Sequence, residues 1–173
     1  MKWDYEFDVV VVGTGNGALT SALCSHDGGA KTLVIEKSDQ YGGTSATSGG
    51  GVWIPNNRYA KAENVDDSDQ DARDYINSVS PEGKIKAELI ETYISEGPKM
   101  IDYLHENSQV KYRNLAHYPD YFPDNPGGKE GNRSMEPEPI NGTQLGNDLG
   151  KLREQHPQTA FTMGPINMNF TQV

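Results

Sequence analysis

The chain has 173 residues, a formal net charge of −10 and a single cysteine, Cys24. The negative charge argues against nucleic acid or an anionic membrane as a partner, because both require clustered Lys and Arg. No apolar run approaches the ~20 residues of a membrane span, and one cysteine excludes an internal disulfide and a cysteine-based metal site. The first eight residues lack the basic and apolar regions of a signal peptide, so we expect a cytoplasmic protein.

Hydrophobic residues are unevenly distributed. Residues 1–54 contain more Leu, Ile, Val and Phe than residues 107–160, a window of equal length. We therefore expect core material at the front of the chain, and at the back a covering layer whose core lies elsewhere. This imbalance indicates an incomplete chain.

The first 36 residues predict a strand, a Gly-rich turn, a helix and a second strand. Residues 7–12 contain an unbroken β-branched run, which is typical of a parallel strand buried on both faces. A helix is predicted from the turn to Asp27, where Gly28-Gly29 ends it. Residues 31–36 predict the second strand. The order strand, turn, helix, strand indicates an α/β fold.

Helices and loops are predicted after residue 57. Helical patterns cover residues 66–78, with Ser68 as N-cap, and residues 85–95. Pro98 is expected to begin a separate helix that ends at His105, and a last helix is predicted over residues 145–154. Residues 109–141 read as irregular. Because a sheet needs about three strands to be stable alone, we expect residues after Val173 or another chain to complete the sheet.

The turn after the first strand matches a dinucleotide-binding fingerprint, Gly13-x-Gly15-x-x-Ala18. Gly13 allows the tight turn, Gly15 lets the backbone approach a pyrophosphate, and the helix N-terminus offers free N–H groups. Glu36 ends the second strand at the distance expected of a ribose-binding carboxylate, which would repel a 2′-phosphate. The unit therefore favours FAD or NAD over NADP. The predicted cofactor contacts in this unit are Gly13, Thr14, Gly15, Asn16, Gly17, Ala18, Glu36 and Lys37.

A second Gly-rich segment follows the acidic residue, from Tyr41 to Trp53. A solvated linker over residues 37–57 is the alternative, which the apolar string Val52-Trp53-Ile54-Pro55 disfavours. With Glu36-Lys37, the string Gly42-Gly43-Thr44-Ser45-Ala46-x-Ser48-Gly49-Gly50 resembles the fumarate reductase and succinate dehydrogenase flavoprotein superfamily. The resemblance implies FAD, with further cofactor contacts from Gly43, Thr44, Ser45, Ser48, Gly49, Gly50 and Gly51. It also implies non-covalent FAD, because Gly43 stands where succinate dehydrogenases carry the flavin-attaching His.

Within that superfamily, the longer string from Gly42 to Pro55 resembles the 3-ketosteroid 1-dehydrogenases. The segment Tyr118-Pro119-Asp120-Tyr121-Phe122 is similar to the Pro-Asp-Tyr-Phe segment of the same family. The family reaction takes a proton beside a ketone and transfers hydride to flavin. By the resemblance, Tyr121 is the catalytic-site residue, and it assists a second Tyr that would lie beyond Val173. The implied substrate is a steroid-like ketone.

Members of that family are much longer, so the chain resembles an amino-terminal fragment. The implied fold is a Rossmann-type FAD-binding domain with an incomplete parallel sheet, over residues 1–57, followed by a helical and loop-rich cap region over residues 58–173. An enoate reductase of the fumarate reductase type and an inactive truncated FAD-binding module are the alternatives. Without the resemblance, Tyr121 reads as an aromatic packing residue.

The remaining candidate site residues have weaker support from the sequence. The four histidines lack metal-ligand spacing, although His117 lies near Tyr121 in sequence and is a candidate lining residue. Arg133 is a candidate contact of substrate or flavin without a geometric reason. The acidic cluster of Glu63, Asp66, Asp67, Asp69 and Asp71 indicates a solvated helix start. We expect no metal.

Overall fold

A computed structural model describes residues 3–154 of the chain. The chain forms two compact units. The first combines the segment up to Gly50 with the segment from Ile140 onward, and the second is Gly51–Pro139. These units begin and end at other residues than the domains predicted as 1–57 and 58–173.

The first unit contains a Rossmann-type strand, helix and strand in the predicted order. Strand β1 is Val9–Val12, helix α1 is Asn16–Asp27 and strand β2 is Thr32–Ile35. The strands pair in parallel, with Val9 opposite Thr32 and Val12 opposite Ile35, and α1 packs against both strands. Each strand is shorter than the sequence predicted.

The predicted α-helix over residues 145–154 is wrong. Gly142–Lys151 instead forms 3₁₀ turns, interrupted at Gly146, where φ is 53° and ψ is −127°. Three glycines in this stretch, Gly142, Gly146 and Gly150, lower its helical preference, since each costs about 1 kcal/mol relative to Ala in a helix interior. A second 3₁₀ turn, Ser45–Thr47, lies in the Gly-rich segment.

The apolar side chains of the first unit are mostly uncovered. Val11 is 9% exposed, whereas Val10 is 52% and Val12 is 77% exposed. Among the described residues, every buried hydrophobic side chain other than Val11 lies in the second unit. The expectation of a core at the front and a covering layer at the back was therefore wrong. Parallel sheets normally have both faces covered, and the pattern at β1 is that of a sheet with one open face.

The second unit contains three helices and a three-stranded antiparallel sheet. In chain order its elements are β3 (Val52–Trp53), α2 (Arg58–Ala62), α3 (Asp69–Val79), α4 (Ala87–Asn107), β4 (Tyr112–Asn114) and β5 (Ser134–Pro137). Strand β5 lies between β3 and β4. The sequence predicted α3 correctly, including its N-cap, since the Asp71 N–H donates to Ser68 Oγ at 3.1 Å. It did not predict α2 or this sheet, because the three strands are short.

Helix α4 is continuous through Pro98, so the prediction of a separate helix beginning there was wrong. A proline inside a helix costs about 3 kcal/mol or more. Four side chains on both sides of it are buried, namely Ile90, Ile94, Ile101 and Leu104. Each burial contributes roughly 1.5–3 kcal/mol, so their sum exceeds the cost of the proline.

The main core of the second unit lies between α4 and the sheet. Its buried members are Ile54, Ile101, Leu104, Tyr112 and Met135. A smaller cluster joins α3 to α4 through Ala72, Ile90 and Ile94. Among residues 3–154, no helix combines the length and the apolar character needed to cross a membrane.

Candidate functional site

The turn after β1 leaves an open, donor-rich helix end. Gly13 has φ of +97° and donates its N–H to Ile35 O at 2.7 Å, so a residue with a side chain would be strained there. Gly15 is the N-cap of α1 and has no side chain with which to cap the helix. A Cβ at Gly13 or Gly17 would meet nothing within 4 Å. Space for a pyrophosphate therefore lies beside Gly13 and Gly17 at the start of α1, where the first N–H groups have no partner within the helix.

The two Gly-rich segments meet at this turn. The Asn16 N–H donates to Ser45 Oγ at 3.0 Å. A Cβ at Gly43 would lie 3.5 Å from both Cα and N of Gly15. The structure thus brings together Gly15, Asn16, Gly43 and Ser45, all of which the sequence predicted as cofactor contacts. The close backbone approach explains why small residues are found on both sides.

Thr14 joins the ribose-binding candidate to the second Gly-rich segment. Its Oγ1 donates to Glu36 Oε2 at 2.5 Å and accepts from the Gly42 N–H at 2.9 Å. The other carboxylate oxygen, Oε1, accepts from the backbone N–H groups of Lys37 and Ser38 at 2.8 and 3.2 Å. Chiefly because of the Thr14 hydroxyl, the pKa of Glu36 lies below its usual range. Glu36 is therefore an ionised, oriented acceptor.

The remaining predicted cofactor contacts lie along the second segment and its neighbours. Thr44 precedes the 3₁₀ turn, and its carbonyl accepts from Thr47 Oγ1 at 2.9 Å. Ser48 Oγ donates to Ser45 O at 2.9 Å and accepts from the Gly50 N–H at 3.1 Å. The other predicted contacts are Gly17 and Ala18 in the first turn of α1, Lys37 directly after Glu36, Gly49 beside Ser48, and Gly51, which begins the second unit.

Tyr121 lies beside an apolar cavity of the second unit. Its side chain is 83% exposed. The cavity has a volume of about 300 Å³ and is lined by Trp53, Tyr75, Ile76, Val79, Tyr118, Pro119, Asp120, Tyr121, Phe122 and Ser134. Its walls are predominantly aromatic and aliphatic. His117 is exposed and is not one of the residues that line this cavity, so its suggested place at the site stays a prediction.

Asp120 anchors the segment that carries Tyr121. Its Oδ1 accepts from Trp53 Nε1 at 2.6 Å, and its Oδ2 accepts from Arg133 Nη1 at 2.9 Å and from the Lys129 N–H at 3.0 Å. The Asp120 side chain is almost fully buried. A buried carboxylate is stable only with such partners.

Arg133 is buried between two carboxylates. Beside its bond to Asp120, its Nη2 donates to Asp67 Oδ1 at 2.7 Å and its Nε donates to Asp67 Oδ2 at 3.1 Å. The guanidinium also lies 5.4 Å from the ring centre of Trp53 and 5.7 Å from that of Tyr75. The guanidinium of Arg133 therefore makes its hydrogen bonds to carboxylates inside this unit.

The interpretation of the acidic cluster as a solvated helix start needs correction at two residues. Asp67 is buried against Arg133, and Asp71 pairs with Lys129 Nζ at 3.0 Å. No local pattern predicts these pairs, because Asp67 and Arg133 are 66 positions apart and Asp71 and Lys129 are 58 positions apart. Within residues 3–154, no group of His, Cys, Asp and Glu side chains has the geometry of a metal site.

A family model described as an FAD binding domain matches residues 8–169. Because this match covers most of the chain, the chain belongs to that family, and FAD is its cofactor. The turn at Gly13, the N-terminus of α1 and the oriented Glu36 carboxylate fit that cofactor.

The chain is also similar to ketone dehydrogenases. It is 38% identical over 168 residues to a 3-oxosteroid 1-dehydrogenase of Mycolicibacterium smegmatis, with 97% of this chain and 29% of that protein covered. It is 37% identical to a 4-oxocyclohexanecarboxylate 2-dehydrogenase of Sinomonas cyclohexanicum, with 91% of this chain and 27% of that protein covered.

A solved structure agrees with these matches. The 3-ketosteroid Δ1-dehydrogenase of Sterolibacterium denitrificans, in complex with 1,4-androstadiene-3,17-dione, has a TM-score of 0.83 and 40% identity. The match covers 88% of this chain and 27% of that one. The predicted resemblance to the 3-ketosteroid 1-dehydrogenases is thereby confirmed. The chain spans less than a third of the length of these relatives.

Proposed function

We propose that the protein containing this chain is an FAD-dependent dehydrogenase that removes two vicinal hydrogens beside the ketone of a neutral, steroid-like substrate. The observation that carries this proposal is the 38% identity to a 3-oxosteroid 1-dehydrogenase over 97% of this chain. The position of Tyr121 at an apolar cavity supports it. Since the chain spans 29% of that relative, the proposal concerns the whole protein.

The FAD is held without a covalent bond in this proposal. Gly43 offers no side chain at the position where the superfamily resemblance would place an attaching His. Its backbone lies against Gly15, and Ser45 accepts from the first helical N–H of α1. The FAD contacts in this proposal come from Gly13–Ala18, Glu36 and the second Gly-rich segment.

The cavity favours a neutral ligand over an anionic one. None of its lining residues is Lys or Arg. The guanidinium of Arg133, which lies over the rings of Trp53 and Tyr75, is already paired with two carboxylates, and Lys129 is paired with Asp71. A carboxylate entering a mainly apolar cavity needs a cationic partner to offset its desolvation. Within the described residues, the cavity lining therefore offers no cationic partner to a 4-oxocyclohexanecarboxylate or to a fumarate-like acid.

Tyr121 is the proton-handling candidate. The ketone acidifies the neighbouring C–H, and FAD, when bound, accepts the hydride. The exposed Tyr121 hydroxyl is positioned to contact a ligand or a second residue that takes the proton. By the family resemblance it assists a second Tyr, which acts as base.

The experiment compares two ketones with the complete product of the gene that encodes this chain. Turnover is measured with an artificial electron acceptor on a 3-oxosteroid and on 4-oxocyclohexanecarboxylate. We expect kcat/KM to be at least about 100-fold higher for the steroid, which corresponds to roughly 2.7 kcal/mol. Preference for the carboxylate, or reduction of a fumarate-like acid instead, would contradict the proposal. We expect no turnover from the 173-residue chain alone.

The proposed location of the protein is the cytoplasm. The acidic composition and the single cysteine support this, because disulfide-rich chains are typical of oxidising compartments. Recovery of the protein in a periplasmic or secreted fraction would overturn it.

A further inference from the structure

We infer that Arg133 is a positioning residue for Tyr121 and acts through Asp120. This inference rests on the proposed function only for the role of Tyr121. Its structural part, that Arg133 fixes the conformation of the Tyr121 segment, stands on the contacts of the second unit alone.

Tyr121 is exposed but lies between two anchored neighbours. On one side, the Asp120 N–H donates to Lys129 O at 2.9 Å, and the Asp120 carboxylate is held by Trp53 and Arg133. On the other side, the Phe122 N–H donates to Tyr75 Oη at 3.3 Å. A solvent-facing ring is thus attached to a backbone that is held by hydrogen bonds on both sides. Catalytic groups need this kind of support from the residues around them.

Arg133 is the cation on which this support depends. It faces the carboxylates of Asp67 and Asp120, and the side chains of all three residues are almost fully buried. Without the guanidinium, two buried carboxylates would repel each other, and Asp120 would keep only the Trp53 and Lys129 N–H groups. We expect the segment to shift so that Asp120 reaches water, and Tyr121 to shift with it.

Lysine cannot replace Arg133 in this geometry. The guanidinium serves Asp67 through Nη2 and Nε, and it serves Asp120 through Nη1. An ammonium group is a compact point charge without this planar arrangement of donors. Arg133→Lys therefore keeps the positive charge but loses the hydrogen bonds to at least one of the two carboxylates.

The structural test uses this chain labelled with 3-fluorotyrosine and observed by ¹⁹F NMR. The Tyr121 resonance is assigned by its loss in Tyr121→Phe. In Arg133→Lys we expect that resonance to shift or to split, while the resonance of Tyr5, in the first unit, stays in place. Arg73→Lys is the matched control, because Arg73 makes a two-pronged pair with Glu91 on the surface of the same unit. A folded Arg133→Lys with an unchanged Tyr121 resonance would overturn the inference.

A second variant covers the case in which Arg133→Lys fails to fold. Asp120→Asn leaves Asp67 in place as a partner of Arg133. It removes the charge next to Tyr121 and replaces one of the two accepting oxygens by an NH2 donor, so residue 120 can no longer accept from both Trp53 and Arg133. We expect the same displacement of the Tyr121 resonance. An unchanged resonance in this variant would contradict a link through Asp120.

The kinetic test is a double-mutant cycle in the complete gene product. We expect Arg133→Lys to lower kcat about tenfold with KM changed less than twofold. In a Tyr121→Phe background the same change should have no further effect, because residues that act through one group are not additive. Equal effects in both backgrounds would mean a purely structural role. If the protein does not oxidise ketosteroids at all, the NMR measurement still decides whether Arg133 positions Tyr121.

Discussion

Trp53 Nε1 donates to Asp120 Oδ1 at 2.6 Å, joining two residues that lie 67 positions apart. Trp53 is the last residue of the second Gly-rich segment, and Asp120 directly precedes Tyr121. The bond therefore links the strand that leaves the candidate cofactor segment to the candidate catalytic segment. Tyr93 stacks on Trp53 at 6.3 Å and donates its hydroxyl to Trp53 O, which fixes the indole further.

Replacing Trp53 by Phe keeps an aromatic ring and removes the indole N–H. Because the bond to Asp120 is made to a buried carboxylate, we expect Trp53→Phe to lower the free energy of unfolding by about 1.5–3 kcal/mol, measured by urea denaturation of the chain. Trp3→Phe is the control, since Trp3 is 74% exposed. Equal stabilities for the two variants would show that the indole N–H contributes nothing.

Replacing Tyr121 by Phe removes only the hydroxyl. If Tyr121 assists proton abstraction, kcat of the complete gene product on a 3-oxosteroid should fall by roughly 10²–10⁴-fold with little change in KM. Tyr5→Phe is the matched control, because its ring is 81% exposed against 83% for Tyr121. Unchanged turnover in Tyr121→Phe would remove Tyr121 from the mechanism.

Replacing Thr14 by Val removes the hydroxyl that orients Glu36 and receives the Gly42 N–H. We expect the Kd for FAD to rise by about tenfold, or roughly 1.4 kcal/mol, as for one lost bond to a charged group. Fluorescence titration of the chain with FAD measures this. Thr92→Val is the control, since the Thr92 hydroxyl bonds only within α4, to Glu88 O. An unchanged Kd in Thr14→Val would show that the hydrogen bonds of Thr14 to Glu36 and Gly42 do not contribute to FAD binding.

Asp71 should make the second unit sensitive to acid. Its pKa lies below the usual value of 3.8, chiefly because Lys129 donates a hydrogen bond to it and then because Ser68 does. A carboxyl whose pKa is depressed by folding stabilises the protein above the unfolded pKa, and this contribution is lost as pH falls through the folded pKa. The loss therefore begins near pH 4 and continues below it.

The corresponding variant is Asp71→Asn. It should be less stable than the wild type at pH 7, and the difference should shrink as the pH falls below about 4, as followed by urea denaturation at each pH. Asp74→Asn, one turn further along α3, is the control because Asp74 accepts from the neutral side chain of Gln70. A difference for Asp71→Asn that persists unchanged at low pH would contradict the assignment.

Local patterns predicted the secondary structure around the candidate cofactor site. The fingerprint Gly13-x-Gly15-x-x-Ala18 and the spacing to Glu36 depend on neighbours in sequence, and the structure has the predicted strand, turn, helix and strand. The proximity of Gly43 to Gly15 did not follow from spacing alone, although the resemblance placed both at the cofactor.

The contacts of the second unit could not be predicted from local sequence patterns. The Asp67, Asp120 and Arg133 cluster and the antiparallel sheet join segments separated by dozens of residues, and no period in the sequence records such contacts. The helix prediction was wrong at Pro98, because proline usually marks the start of a helix. In α4 the burial of Ile94 and Ile101 on either side of Pro98 stabilises a continuous helix instead.

The visible absorbance spectrum after incubation with FAD and desalting tests the central claim most directly. The account predicts a flavin band that stays with the protein through the column and is released by denaturation, as expected of FAD bound without a covalent bond. The measurement is made on the chain and on the complete gene product. A flavin that remains attached after denaturation would contradict non-covalent binding, and two colourless proteins would contradict FAD binding itself.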